Sequence, residues 1–220
     1  MSRTLILKRA ALIAAAAGLT AGCALLSTPD PVQMYSFGAS EAAMQAAPAA
    51  PAGALRPVSM RRIQISEAAR GDRILAITGT QAAYVGGARW VSPADQLFTE
   101  ALVSAFSDQS RNTRLIGPRE FSRSALSLDI DVRSFEARYD YEGAVPTAHI
   151  VARARILQFP DRDVVDERIF TTSLPASDNR VSAIVAAFDA ATADLSGQIV
   201  DWTDAAAANA PVPEGRDDGE

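Results

Sequence analysis

Two long alternating segments that fit each other face to face constrain this chain more than any other feature. From Ser124 to Tyr139, Leu126, Leu128, Ile130 and Val132 fall on one side, and Ser127, Asp129, Asp131 and Arg133 on the other. A period of two residues is that of a half-buried strand. Past Ser134 the apolar positions change parity, to Phe135, Ala137 and Tyr139. One inserted residue, a bulge near Ser134, reconciles the two halves. After a turn at Glu142-Gly143, Val145 to Phe159 alternates again, with Ala148, Ile150, Ala152, Ala154 and Ile156 against Thr147, His149, Arg153 and Arg155. A hairpin centred near Glu142 sets Asp131 opposite Arg153 and Asp129 opposite Arg155. The same register sets Ile130 against Ala154 and Leu128 against Ile156, so both faces agree. The charged pairs read as a solvated sheet face, each worth about 0.2–1 kcal/mol; a carboxylate site is the alternative.

The elements around this hairpin alternate in type. Val58 to Ser66 and Arg73 to Thr80 read as strands. Tyr84-Val85 and Ala88 to Val91 flank a two-glycine turn, Gly86-Gly87. Ser92 suits an N-cap, Pro93 the first helical position, and Asp95 can answer the cap. Leu97, Phe98, Ala101, Leu102, Ala105 and Phe106 then recur at helical spacing and form a core-facing stripe. Val164 to Thr172 is a further strand ended by Pro175. Ser177-Asp178 can cap a long helix whose stripe runs through Val181, Ile184, Phe188, Ala191, Leu195, Ile199 and Trp202 and frays into Ala205–Ala208. Met34 to Phe37 is a short first strand. The expected fold is α+β: a mostly antiparallel sheet of about seven strands with two main helices on one face.

Composition excludes several chemistries. The 220 residues hold one Cys and one His, which leaves no internal disulfide framework and no cage built on several cysteines or histidines. The net charge of −5 offers no basic footprint for nucleic acid. Gly79 to Gly87 lacks the Gly-Lys-Ser/Thr ending of a phosphate-binding loop, and no Gly-x-Ser-x-Gly elbow occurs. His149 is the one imidazole available as a base, and it sits mid-strand. Trp90 and Trp202 read as buried packing residues. No catalytic residue, metal ligand or cofactor is expected.

The N-terminus reads as an address. Arg3, Lys8 and Arg9 precede an uncharged apolar run from Ala10 to Leu19, and Thr20-Ala21-Gly22 supplies small residues. This is the layout of a secretory signal peptide, too short to span a bilayer. Leu19-Thr20-Ala21-Gly22-Cys23 resembles the lipobox of bacterial lipoproteins, with Thr20 where the family prefers Leu. The resemblance implies cleavage before Cys23, a diacylglycerol on its sulfur and acylation of the new amine. At about 0.8 kcal/mol per buried CH₂, two or more such chains hold firmly to a membrane. Ala24 is not the Asp that retains such proteins at the inner membrane in enterobacteria, so the resemblance favours the outer membrane, facing the periplasm.

Four stretches carry a second likeness. They are Tyr35-Ser36-Phe37, Arg89-Trp90-Val91-Ser92-Pro93-Ala94-Asp95-Gln96-Leu97, the spacing of Asp131, Phe135 and Tyr139, and Ala187, Ala191, Leu195, Ile199 and Trp202. Together, over about residues 34–203, the chain resembles the ABC-type transport auxiliary lipoproteins, the group that includes the paraquat-inducible C lipoprotein. The resemblance implies a non-enzymatic auxiliary component of an intermembrane lipid transport system. Its partners would be an ABC permease, its ATPase and a protein with a mammalian-cell-entry domain, with self-association left open. No family residue beyond Cys23 carries a site. The expected organisation is a signal peptide over 1–22, and anchor, short strand and Ala/Pro-rich linker over 23–57. The auxiliary domain follows over 58–207, then an acidic disordered tail over 208–220. Two alternatives stay open: an anchored envelope hydrolase working through His149 or Asp129 and Asp131, and a purely structural envelope lipoprotein.

Overall fold

The computed structural model describes residues 31–38, 55–117, 120 and 124–211. The chain divides into two units, Met1–Val32 and Gln33–Glu220, of which the second is described here. The signal segment, Cys23, residues 39–54 of the linker and the tail from residue 212 lie outside the described residues. In chain order the elements are β1 (Gln33–Tyr35), β2 (Arg56–Met60), β3 (Gln64–Ile65), β4 (Leu75–Thr78), β5 (Gln81–Tyr84), β6 (Ala88–Trp90), α1 (Ala94–Gln109), β7 (Thr113–Ile116), β8 (Leu126–Tyr139), β9 (Thr147–Gln158), β10 (Asp163–Pro175) and α2 (Val181–Asn209).

The hairpin stands in the expected register. Asp129 lies opposite Arg155, Asp131 opposite Arg153, Ile130 opposite Ala154 and Leu128 opposite Ile156. The register shifts between Val132 and Ser134, leaving Arg133 as the extra residue on β8. Leu126, Leu128, Ile130, Val132, Phe135 and Ala137 consequently all lie buried, while β9 keeps one unbroken parity through Ala148, Ile150, Ala152, Ala154 and Ile156. β10 extends the sheet antiparallel to β9.

The sheet departs from expectation in direction and in number of strands. It is mixed rather than mostly antiparallel. The second edge of β8 is covered end to end by three short strands running parallel to it: β2 at Leu126–Leu128, β3 at Asp131–Val132 and β4 at Ala137–Tyr139. β7 pairs parallel to β2, and β5 folds back on β4, completing eight strands. The separate pair of β1 with β6 is also parallel. A parallel neighbour needs a crossover, and α1 with its flanking strands lies in the sequence between β2–β4 and β8. Alternation reports which face a residue takes and nothing about strand direction. The segment 58–66 is two strands, because residues 61–63 leave the ladder. The Gly86-Gly87 turn does not join a hairpin: β5 pairs with β4, and β6 with β1.

Both helices share one core with the inner sheet face. Every expected apolar residue of α1, from Leu97 to Phe106, is buried. In α2, Ile184, Phe188, Ala191, Leu195, Ile199 and Trp202 are buried, packed on β9 and β10. The three alanines of β9 leave room for these large side chains, so small and large alternate across the interface. α2 is long and apolar enough by length to cross a bilayer, but its apolar stripe is committed to this core. Neither helix start is capped as expected. The N-cap of α1 is Pro93, and the Gly71 carbonyl accepts from the Ala94 N–H instead of a Ser92 hydroxyl. Asp178 serves a turn ahead of α2, accepting from the Arg180 N–H at 2.8 Å and the Arg180 Nε at 2.7 Å.

The last turns of α2 stay helical through Asn209, because two polar clasps hold them. Asp204 Oδ1 accepts from Thr113 Oγ1 (2.6 Å) and Ser110 Oγ (2.7 Å), and Oδ2 accepts from the Arg111 and Asn112 N–H groups (2.7 and 3.3 Å). The turn between α1 and β7 is thereby tied to α2. From β2, Arg56 Nη1 donates to the carbonyls of Ala207 and, at 2.8 Å, Ala210, and Nη2 donates to that of Pro211 at 2.9 Å. A cation at a helix C-terminus satisfies the orphan carbonyls and complements the dipole.

At the centre of the core, the Phe135 ring touches Phe37, Trp90, Phe98 and Phe188, with centroids 4.9–6.3 Å apart. This joins β8 to the segment after β1, to β6 and to both helices. Gly38 closes the same region. Its φ is +75°, and a Cβ there would stand 2.3 Å from the Ala101 Cβ. Its N–H donates to Asp189 Oδ1 at 2.6 Å. Phe135→Ala is expected to lower the unfolding free energy by about 3–5 kcal/mol in a urea titration. Burial alone would raise the Asp204 carboxyl, but its four hydrogen bonds outweigh this and hold it below the ordinary carboxylate value. Its contribution is therefore complete above about pH 4 and lost as pH falls through the lowered folded value. Asp204→Ala should cost about 3 kcal/mol at pH 7 and less in acid, which denaturation at two pH values measures.

Candidate functional site

The outer face of the sheet gathers the polar residues for which a site was expected. Three rows cross β8, β9 and β10. The first is Asp129, Arg155 and Glu167; the second Asp131, Arg153 and Ile169; the third Glu136, His149 and Ser173. Arg155 Nη2 donates to Asp129 Oδ2 at 2.6 Å, and Arg153 Nη2 reaches Asp131 Oδ2 at 3.5 Å. The bulged Arg133 brings a second guanidinium to Asp131, at 3.6 Å. Each carboxylate thus already faces arginine, and the two acids do not form a carboxylate pair. These are partly exposed ladder pairs of small individual worth.

His149 has a partner that the sequence reading missed. Its Nδ1 lies 2.7 Å from Ser173 Oγ. The signal was available, since Ser173 shares the parity of the outward positions of β10, but it needed the β9–β10 register. Glu136 stands on the other side of the histidine, yet Arg138 Nε donates to its Oε1 at 2.7 Å. A hydroxyl and an imidazole in contact are the start of a nucleophile–base pair. Such a pair also needs an orienting carboxylate on the second ring nitrogen and donors around the reacting carbonyl. Glu136 is instead engaged by Arg138, and the row lies on an open strand surface.

Among the described residues no group of three or more His, Cys, Asp or Glu side chains could hold a metal ion. Trp90 and Trp202 are buried, as expected of packing residues, and Trp202 Nε1 donates to Asp166 Oδ2 at 2.8 Å. Cys23 lies outside the described residues. Burial lowers the His149 pKa from its ordinary 6.5, Arg138 lowers it further, and Glu136 opposes both. The neutral ring is the form favoured by folding. Its contribution is complete above about pH 6.5 and lost as pH falls through the folded value. As the only histidine, it gives a single titrating ring by NMR. The midpoint is expected below 6.5, higher in Arg138→Gln and lower in Glu136→Gln.

Comparison with known proteins places this fold. The crystal structure of a Xanthomonas campestris protein of the DUF330 family superposes with a TM-score of 0.62 at 28% identity, covering 73% of this chain and 90% of that one. An uncharacterised protein of known structure superposes with a TM-score of 0.60 at 18% identity, covering 78% of this chain and 98% of that one, a likeness of fold alone. No curated protein matches the chain. The family of the ABC-type transport auxiliary lipoprotein component matches residues 35–200. That span runs from Tyr35, the last residue of β1, through the whole hairpin to Val200 in α2, and the chain belongs to the ABC-type transport auxiliary lipoprotein family.

Proposed function

We propose that this chain is a non-enzymatic auxiliary subunit of an ABC transport system that moves lipid between membranes. In this reading acyl chains on Cys23 anchor it to the outer membrane, facing the periplasm. Its partners are a permease, an ATPase and a protein with a mammalian-cell-entry domain. The observation that carries the reading is the family match over residues 35–200, which ties the folded body to ABC transport and to lipoproteins. The spacing Leu19-Thr20-Ala21-Gly22-Cys23 supports the anchor, and Ala24 supports the outer membrane over the inner one. Gln33, where β1 begins, follows Cys23 by ten residues, a short tether between acyl chains and folded body. In this reading ATP is handled by a partner, which the lack of a Walker sequence in this chain supports.

The Ser173–His149 contact is the one observation favouring a hydrolase, and the commitment of Glu136 to Arg138 weighs against it. His149→Ala is expected to leave transport phenotypes intact. Affinity purification of the full chain from detergent-solubilised membranes is expected to recover a permease–ATPase pair and a mammalian-cell-entry-domain protein; a preparation holding this chain alone would count against the reading. Cys23→Ala should abolish incorporation of labelled fatty acid and move the protein from the outer-membrane fraction to a form without the lipid anchor.

A further inference from the structure

Among the described residues the outer edge of β10 is a long strand edge with no partner. Among the described residues β10 pairs only with β9. From Asp166 to Pro175 its register is unbroken, so a long run of backbone on the other edge has regular strand geometry. Edge strands usually carry protection against further pairing. Here the bulge at Val164/Asp166 and the closing Pro175 guard the two ends, while the middle stays regular and leaves Ile169 half exposed. Two grooves run along the seam between this edge and the flank of α2, of about 570 and 450 Å³. Phe170, Trp202 and Ala205 give the first an apolar lining. Phe170 and Trp202 meet edge to face at 5.7 Å and make a firm floor.

The charge along the seam is one-sided. Asp201 lines the first groove, and Asp163 and Asp166 the second, against the single guanidinium of Arg168. We infer that the β10 edge is a docking site for an extended cationic segment of a partner protein, which adds a strand to the sheet. Its basic side chains lie on the α2 side, facing Asp163, Asp166 and Asp201 with their stems over Phe170 and Trp202, and its alternate apolar ones lie over Ile169 on the outer face. Strand addition takes affinity from main-chain hydrogen bonds and selectivity from alternate side chains.

Two other occupants fit less well. A second copy paired antiparallel about Ile169 would set the flank of α2, with exposed Asp194 and Asp201, against the same flank of its mate. The chain's own last residues carry Glu214, Asp217, Asp218 and Glu220 with one Arg216, and so share the sign of the groove. The inference goes beyond the transport reading and stands without it, since it concerns the chemistry of the occupant alone.

The test uses the full chain in detergent and a fluorescent synthetic peptide of about ten residues, alternating Val or Thr with Lys or Arg. Anisotropy is expected to show saturable binding that weakens with salt. Hydrogen exchange should show protection gathered on β10. A peptide with Glu for each Lys or Arg should fail to bind. Asp163→Lys with Asp201→Lys, both at exposed positions, should weaken the cationic peptide by roughly tenfold or more. Asp108→Lys on exposed α1 should leave it unchanged. Absence of binding up to about 1 mM overturns the inference. So does equal binding of both peptides, equal loss in Asp108→Lys, or protection away from β10. Sedimentation that reveals a dimer abolished by Ile169→Lys assigns the edge to a second copy and overturns it as well.

Discussion

β8 has to offer Leu128, Ile130 and Val132 to the core, and then Phe135 and Ala137 to the same core, although an unbroken strand would turn the second group outward. The extra residue at Arg133 resolves this, and much of the architecture depends on it. With parity restored, Phe135 lands under Phe37, Trp90, Phe98 and Phe188 and joins four separate stretches of chain. The bulged arginine is sent to the outer face, where it places a second guanidinium beside Asp131. One local irregularity therefore sets both the hydrophobic centre and the polar ladder.

A second dependence runs through α2. Its apolar stripe lies on β9 and β10, where alanines on the strand admit Phe188, Leu195 and Ile199. Packing orients the helix, and polar contacts fix its end. Asp204 reaches the turn before β7, and Arg56 reaches the last carbonyls from β2. The seam between α2 and β10 is consequently a fixed groove with a rigid aromatic floor.

Much of this was legible in the residues. The hairpin register could be read because Asp129, Asp131, Arg153 and Arg155 matched on one face while Ile130, Ala154, Leu128 and Ile156 matched on the other. Strand direction was not legible, because parallel and antiparallel strands share a period of two. That is why the pairing of β2, β3 and β4 beside β8 reads only from the structure. β3 and β7 are too short to establish any alternation. The caps at Ser92 and Asp178 failed for another reason: a distant carbonyl, that of Gly71, and a local turn took their hydrogen bonds. The fraying expected over Ala205–Ala208 weighed local alanine content and could not foresee Arg56, more than a hundred residues away. On the outer face, His149 was found and Ser173 was not, since their meeting depends on a third strand.

Gly38 links these observations to the proposed anchor. β1, whose hydrogen bonds to β6 lie across the line of the strand, leads directly into Phe37 and Gly38, and Gly38 is packed against Ala101 and held by Asp189. A pull along β1 would load those bonds sideways and together, the way a stitched seam resists better than a peeled one. If Cys23 is acylated as proposed, a force reaching β1 meets a mechanically stiff attachment, seated directly in the aromatic centre.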